Sequence, residues 1–412
     1  MYRASCFPVS LPKRIVPALL GGGIQYFDLC LHAAASMWIF GPLFAAPDAS
    51  AQDVAPGLAV LFVAGPLGAV GFGHVGDRLG RKPALLASVL LAAGANVAIG
   101  LLPGYASIGG LAARALALLS FLHAVGLGAT WAGAALLAVE AAPPSHRARR
   151  ALAAQLGAPL GLIAAQVMLS LLSKEGNLRV PLLAGSVFVA AALWLWRGPP
   201  QAPASREYAP AGPLLELLQQ HQRPLLVGTF SVACSAALIR GAGALGLNGG
   251  VVSFGSARGM MLGVISAALF LTPAILAAGW LSDRYTPRAV MRVGFALTIF
   301  VATLWVPVLR TGVLGVFIML PLALVSLGLT YAPLAAFLPA LFPARVRYTG
   351  VALAFSLGGV VNMVMTRTVG RSSIAMQLGV EGACLIATAV LGLAALQLQR
   401  DGASTQGLPM LE

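Results

Sequence analysis

A chain of 412 residues that is 59% hydrophobic and only 9% charged, with mean hydropathy +0.89, has too few charges to cover the surface of a soluble particle, since ordinary soluble domains carry about a quarter charged residues. The formal charge of +14 therefore argues about membrane orientation rather than nucleic acid, because in membrane proteins cations collect on the cytoplasmic side. At about 20 apolar residues per crossing, roughly twelve spans fit, leaving short loops and no separate soluble domain.

Taken in chain order, the first fourteen residues end in Pro12-Lys13-Arg14 and lead into an apolar stretch that holds Asp28 and reaches no small-residue cleavage site. This predicts a retained first helix rather than a signal peptide. Apolar runs of helical length follow the punctuation of Gly, Pro and charge: 15–41, 54–75, 83–102, 107–138, 151–172 and 181–196. A polar stretch from Arg197 to Arg223 separates these from six more runs, at 224–247, 257–280, 289–306, 312–338, 350–370 and 378–398. Within the separator, Pro213 to Gln220 reads as a short amphipathic helix on the membrane surface. The expected organisation is an all-α polytopic protein with an N-terminal six-helix bundle over residues 1–196, a cytoplasmic loop over 197–223 and a C-terminal six-helix bundle over 224–412.

With the N-terminus inside, most of the 26 Lys and Arg residues fall in cytoplasmic segments, among them Arg78, Arg81, Lys82, Arg149, Arg284, Arg288, Arg292, Arg345 and Arg347. That bias places both termini in the cytoplasm. The four cysteines, Cys6, Cys30, Cys234 and Cys384, are scattered with no metal-ligand spacing and suggest packing residues. A P-loop is absent, as is any zinc-ligand motif, so neither an enzyme nor a cofactor is expected and the energy source is a gradient.

The halves repeat: Gly73-His74-Val75-Gly76-Asp77-Arg78-Leu79-Gly80-Arg81-Lys82 lies between spans 2 and 3, and Gly279-Trp280-Leu281-Ser282-Asp283-Arg284-Tyr285 between spans 8 and 9. This recurring GxxxDR turn resembles the loop signature of the major facilitator superfamily. Gln25-Tyr26-Phe27-Asp28, the segment from Ala138 to Pro144, that from Gln155 to Gly161, and Tyr331 to Ala336 continuing through Leu341 to Gly350 are similar to its metabolite:proton symporters. Several charges usual in that family are replaced, by Gln25, Gly65, Ser120 and Thr130. The resemblance implies twelve transmembrane helices in two pseudo-symmetric bundles, with spans 1, 4, 7 and 10 around a midplane site.

It also implies a cytoplasmic gate built on Asp77, Arg81 and Glu140, with Gly73, Gly76, Gly80 and Arg78 in its loop and Asp283 and Arg284 as its second-half counterpart. From the residues themselves, Asp28 is the carboxylate deepest in a first-half span, and a carboxylate at that depth is functional by default. His32, one turn on, lies on the same face, so Asp28 with His32 is the expected proton site. If the family arrangement holds, Arg114, His123 and Thr130 of span 4, Arg240 of span 7, Tyr331 of span 10, Gln25 and Asn362 line the cavity. Two arginines there make it positive and favour a carboxylate, which guanidinium grips bidentately. Glu381, near the outer start of span 12, is expected to be solvated.

The expected function is transport of a small organic anion, such as a polycarboxylate or a carboxylate siderophore, with protons. Such a carrier works by alternating access as a monomer in the bacterial inner membrane. Rival readings are a proton-driven exporter, a carrier of zwitterionic osmolytes, and a non-transporting sensor on the same scaffold.

Overall fold

The structure is a computed structural model and describes residues 12–38, 40–46, 58–140, 147–172, 179–183, 187, 212–247, 266–366 and 374–405. Among these, every regular element is a helix, as expected where lipid offers the backbone no hydrogen-bond partners. The first half comprises α1 (Pro12–Trp38), α2 (Leu58–Arg78), α3 (Arg81–Leu101), α4 (Leu111–Glu140), α5 (Arg147–Leu172) and the short α6 (Val180–Leu183). The second comprises α7 (Gln222–Leu247), α8 (Thr272–Arg284, entered through a π-helical turn at Ala267–Leu271), α9 (Pro287–Leu309), α10 (Val313–Tyr331), α11 (Arg347–Thr366) and α12 (Ile374–Thr405). Seven helices among the described residues are long and apolar enough to cross a membrane. Most of span 6 and the separator before Gly212 lie outside the described residues, as do Ala141 to His146.

Two expectations change in detail. The helix Pro213–Gln220 forms, but its buried Glu216 is ion-paired to Arg345, so part of its face is seated on protein rather than membrane. In α10 the helix stops at Tyr331 and resumes as Leu334–Ala340, because Pro333 has no N–H to donate and its ring crowds the preceding turn.

Small residues set the tightest packing. Gly157 and Gly161, four apart on α5, face Gly22 and Gly23 of α1, and a Cβ at Gly22, Gly157 or Gly161 would run into the backbone of the opposing helix. Helices in lipid associate through such close backbone contact because burial from water contributes nothing there.

Candidate functional site: a buried carboxylate cluster and a closed basic end

Two polar clusters organise the described residues. The first lies inside the first half, where α1, α3 and α4 meet. Asp28 is 1% exposed; its Oδ2 lies 2.9 Å from His123 Nε2, and its Oδ1 accepts from Asn96 Nδ2. Asn96 Oδ1 in turn lies 3.2 Å from His32 Nδ1, and the His32 and His123 rings stack with centroids 4.3 Å apart. The expected pairing of Asp28 with His32 is therefore corrected. His32 reaches the carboxylate only through Asn96, and His123, from another helix, is the direct partner. Asn96 was missed, although an amide in an otherwise apolar span is itself a signal.

The other expected cavity residues are dispersed. Arg114 sits exposed in the first turn of α4, remote in sequence and depth from His123. Arg240 turns toward α12, where its Nη1 donates to Glu381. Glu381 is thus an ion-pair partner with a side chain only 14% exposed, not a solvated group. Among the described residues, Asp28 thus faces His123 and Arg240 faces Glu381, each within its own half. Thr130 Oγ1 donates to Gly126 O at 3.1 Å and to Ser88 of α3 at 3.3 Å, so it binds helices together. Asn362 Nδ2 donates to Ala236 O of α7 at 3.4 Å. Gln25 is buried, and its Oε1 has no partner among the described residues.

Tyr331 belongs to a layer between the halves. Trp131 Nε1 donates to Tyr331 OH at 2.9 Å and to Gln155 Oε1 at 3.1 Å. Gln155 Nε2 donates across the seam to Tyr331 O at 2.6 Å and Ala332 O at 3.4 Å, two carbonyls at the break before Pro333. Trp131 stacks on Phe355 of α11 at 4.2 Å, and Tyr26 meets Tyr331 edge-on at 5.7 Å. Trp131 and Gln155 were not singled out from the sequence.

The second cluster closes the basic end. Arg81 Nη1 donates to Asp77 Oδ1 and to Gly76 O, each at 2.9 Å; its Nη2 donates to Glu140 at 3.1 Å and, across the seam, to Ala344 O at 3.3 Å. Asp77 caps the start of α11, accepting from the backbone N–H of Tyr348 at 2.8 Å and of Thr349 at 3.0 Å, and from Thr349 Oγ1 at 2.7 Å. A carboxylate there meets unsatisfied donors and the positive end of the helix dipole. Glu140 also faces Arg347 Nη1 at 3.6 Å. Gly73 and Gly76 let α2 lie this close, since a Cβ would strike Thr349 or the Tyr348 ring, and Gly80 turns the chain at φ 106°. Arg78 points outward. In the second repeat, Asp283 pairs with Arg149 of the first half at 3.0 Å, while the exposed Arg284 lies over the rings of Trp280 and Tyr285.

Against known proteins, residues 30–366 match the family described as Major Facilitator Superfamily. The chain is 34% identical to the inner membrane metabolite transport protein YhjE of Escherichia coli, covering 94% of each. It is 27% identical to the shikimate transporter of the same organism, covering 83% of each. The proton:xylose symporter XylE, solved with a bromodeoxyglucose, superposes with a TM-score of 0.69 at 13% identity, covering 93% of this chain and 95% of that one. This last likeness establishes the shared fold, twelve helices in two pseudo-symmetric six-helix bundles.

Proposed function

We propose that this chain, which belongs to the major facilitator superfamily and is a multi-pass membrane transporter of metabolites, carries a small organic anion across the inner membrane with protons. The observation that carries proton coupling is the Asp28 cluster. A carboxylate in a bundle interior costs several kcal/mol to keep charged, and among the described residues no Lys or Arg lies within ion-pair reach of Asp28. Asp28 instead meets the side chains of His123 and Asn96, and on this reading its carboxylate carries the transported proton. Residues 1–196 and 224–412 rock about the seam, with the separator 197–223 and both termini on the cytoplasmic side by the cation bias. Asp77, Arg81 and Glu140 hold the cytoplasmic gate, supported by Gly73, Gly76, Gly80 and Arg78 and mirrored by Asp283 and Arg284, and the carrier works as a monomer.

The anionic substrate is supported by the shikimate transporter among the relatives and by Arg240. With Nη1 given to Glu381, its Nε and Nη2 lack a partner among the described residues, and that edge of a guanidinium grips a carboxylate. A zwitterionic substrate is the second reading, favoured by the offsetting of Arg240 by Glu381 and of Asp28 by His123.

The test is thermal stabilisation of purified protein by mono-, di- and tricarboxylates, zwitterions and neutral sugars, since a ligand bound only to the folded state raises its stability. Proteoliposome flux of the best ligand, with and without an imposed pH gradient, follows. A shift confined to anions and lost in Arg240→Ala, with gradient-driven flux, supports the proposal. A shift with zwitterions that survives Arg240→Ala sinks the anion reading, and binding without flux identifies a sensor.

A further inference from the structure

Arg288 and Arg292 stand one helical turn apart at the basic end of α9, and both are half-buried. Arg288 lies over the ring of the buried Phe337, 6.0 Å from its centroid, which places it in the crevice between α9 and the segment Leu334–Ala340. Residues four apart share a helix face, so Arg292 continues the same line about 6 Å deeper along α9. Neither side chain has an ion-pair partner among the described residues, and Arg292 Nε is buried with no acceptor.

The repeat sharpens the contrast. At the start of α3, Arg81 is answered by Asp77 and Glu140. In the second half the nearby acid, Asp283, is spent on Arg149, and α9 is left with two cations. A half-buried guanidinium without an acceptor carries a desolvation cost and the two repel each other, so an anion between them offsets both. Further along the same helix, Val293 and Phe300 are exposed large apolar side chains, the kind of surface that acyl chains cover.

We infer that Arg288 and Arg292 form a binding site for the phosphate of an anionic lipid headgroup, such as phosphatidylglycerol or cardiolipin, in the crevice between α9 and Leu334–Ala340. Two guanidiniums a turn apart match the several oxygens of one phosphodiester, and basic crevices between membrane helices on the cytoplasmic side are suited to such headgroups. Occupancy pins the lower end of α10 to α9, next to the break at Pro333.

The experiment uses delipidated full-length protein in detergent and measures native mass spectra and thermal unfolding with phosphatidylglycerol, phosphatidylcholine or inorganic phosphate added. The double variant Arg288→Gln/Arg292→Gln is compared with Arg288→Lys/Arg292→Lys, and with Arg310→Gln at the opposite end of α9. Expected are retained phosphatidylglycerol and a rise in unfolding temperature with that lipid but not with phosphatidylcholine. The double Gln variant binds it about tenfold more weakly, as loss of charged hydrogen bonds implies, while the Lys variant keeps part of the effect and Arg310→Gln keeps all of it. Equal binding of phosphatidylcholine, or full retention in the Gln variant, overturns the site. An equal stabilisation by inorganic phosphate, lost in the Gln variant, overturns the lipid assignment. Because each variant is compared with and without lipid, a general loss of stability does not imitate the result.

Discussion

Asp28→Asn keeps the size of the side chain beside His123 and Asn96 but removes the group that takes up a proton. On the proposed mechanism, accumulation driven by a pH gradient falls at least about tenfold, while exchange of labelled for unlabelled substrate at equal pH persists. Proteoliposomes separate the two readings, and undiminished accumulation in the variant removes Asp28 from coupling. His32→Asn is the milder change, because His32 touches the carboxylate only through Asn96. Asn96→Leu strands both Asp28 Oδ1 and His32 Nδ1. Unpaired buried polar atoms cost about 1–3 kcal/mol, read as a lower unfolding temperature. From sequence, Asp28 stood out as a lone carboxylate in an apolar run, and the resemblance put His123 in the same cavity without marking it as the direct partner. His123 lies 95 positions away, whereas His32 lies one turn along the same helix, and local periodicity sees only the nearer one. Arg114 misled for a related reason: an arginine in a span declares its cost but not its direction, and α4 leaves Arg114 exposed in its first turn; for Arg240 the sequence did not show the pairing with Glu381.

At the level of elements, the interruption of α10 leaves the carbonyls of Tyr331 and Ala332 to be satisfied from the other half by Gln155. Gln155→Leu removes that donor while Trp131 still holds Tyr331 OH. The expected outcome is a seam that opens more readily, measured as faster cysteine labelling of a Thr349→Cys reporter from the basic side; unchanged labelling means the Gln155 bonds add nothing to closure. Pro333 was legible as a breaker because it acts on its own helix. Gln155 was not, since its acceptors lie 176 and 177 positions away. The α1–α5 contact makes a separate prediction: Gly161→Val drives a branched side chain into the backbone of α1 at Gly23 and Phe27. Overpacking costs about 1–3 kcal/mol, so the folded yield and the unfolding temperature both fall, whereas Gly359→Ala, with nothing within 4 Å of the new methyl, leaves them unchanged.

For the whole molecule, the hydrogen bonds described between the halves run from Ser356–Gly128 through the Gln155 layer to Asp77, all toward the basic end. Asp77→Asn weakens the cap on α11 and the pairing with Arg81 together. Spin labels at the exposed Leu79 and at Arg345 are expected to report a longer and broader distance distribution in the variant than in the parent, and identical distributions remove Asp77 from the closure. The architecture and the Asp77–Arg81 pair were readable from the chain because a duplicated motif places its own acid and base within a few residues of one turn, whereas Glu140, 59 positions from Arg81, came only from the family resemblance. The seam chemistry above it was not, because it depends on contacts between residues far apart in the chain, such as Gln155 with Tyr331. The glycine contact of α1 with α5 bears on how that seam is undone. With backbone against backbone there is no compressible layer between the two helices, so α5 cannot slide without dragging α1. On the proposed rocking motion Gln155 and Asp28 therefore ride on one stiff plate: breaking the latch at the seam is expected to displace the carboxylate in the same stroke, with no relay of side chains between them.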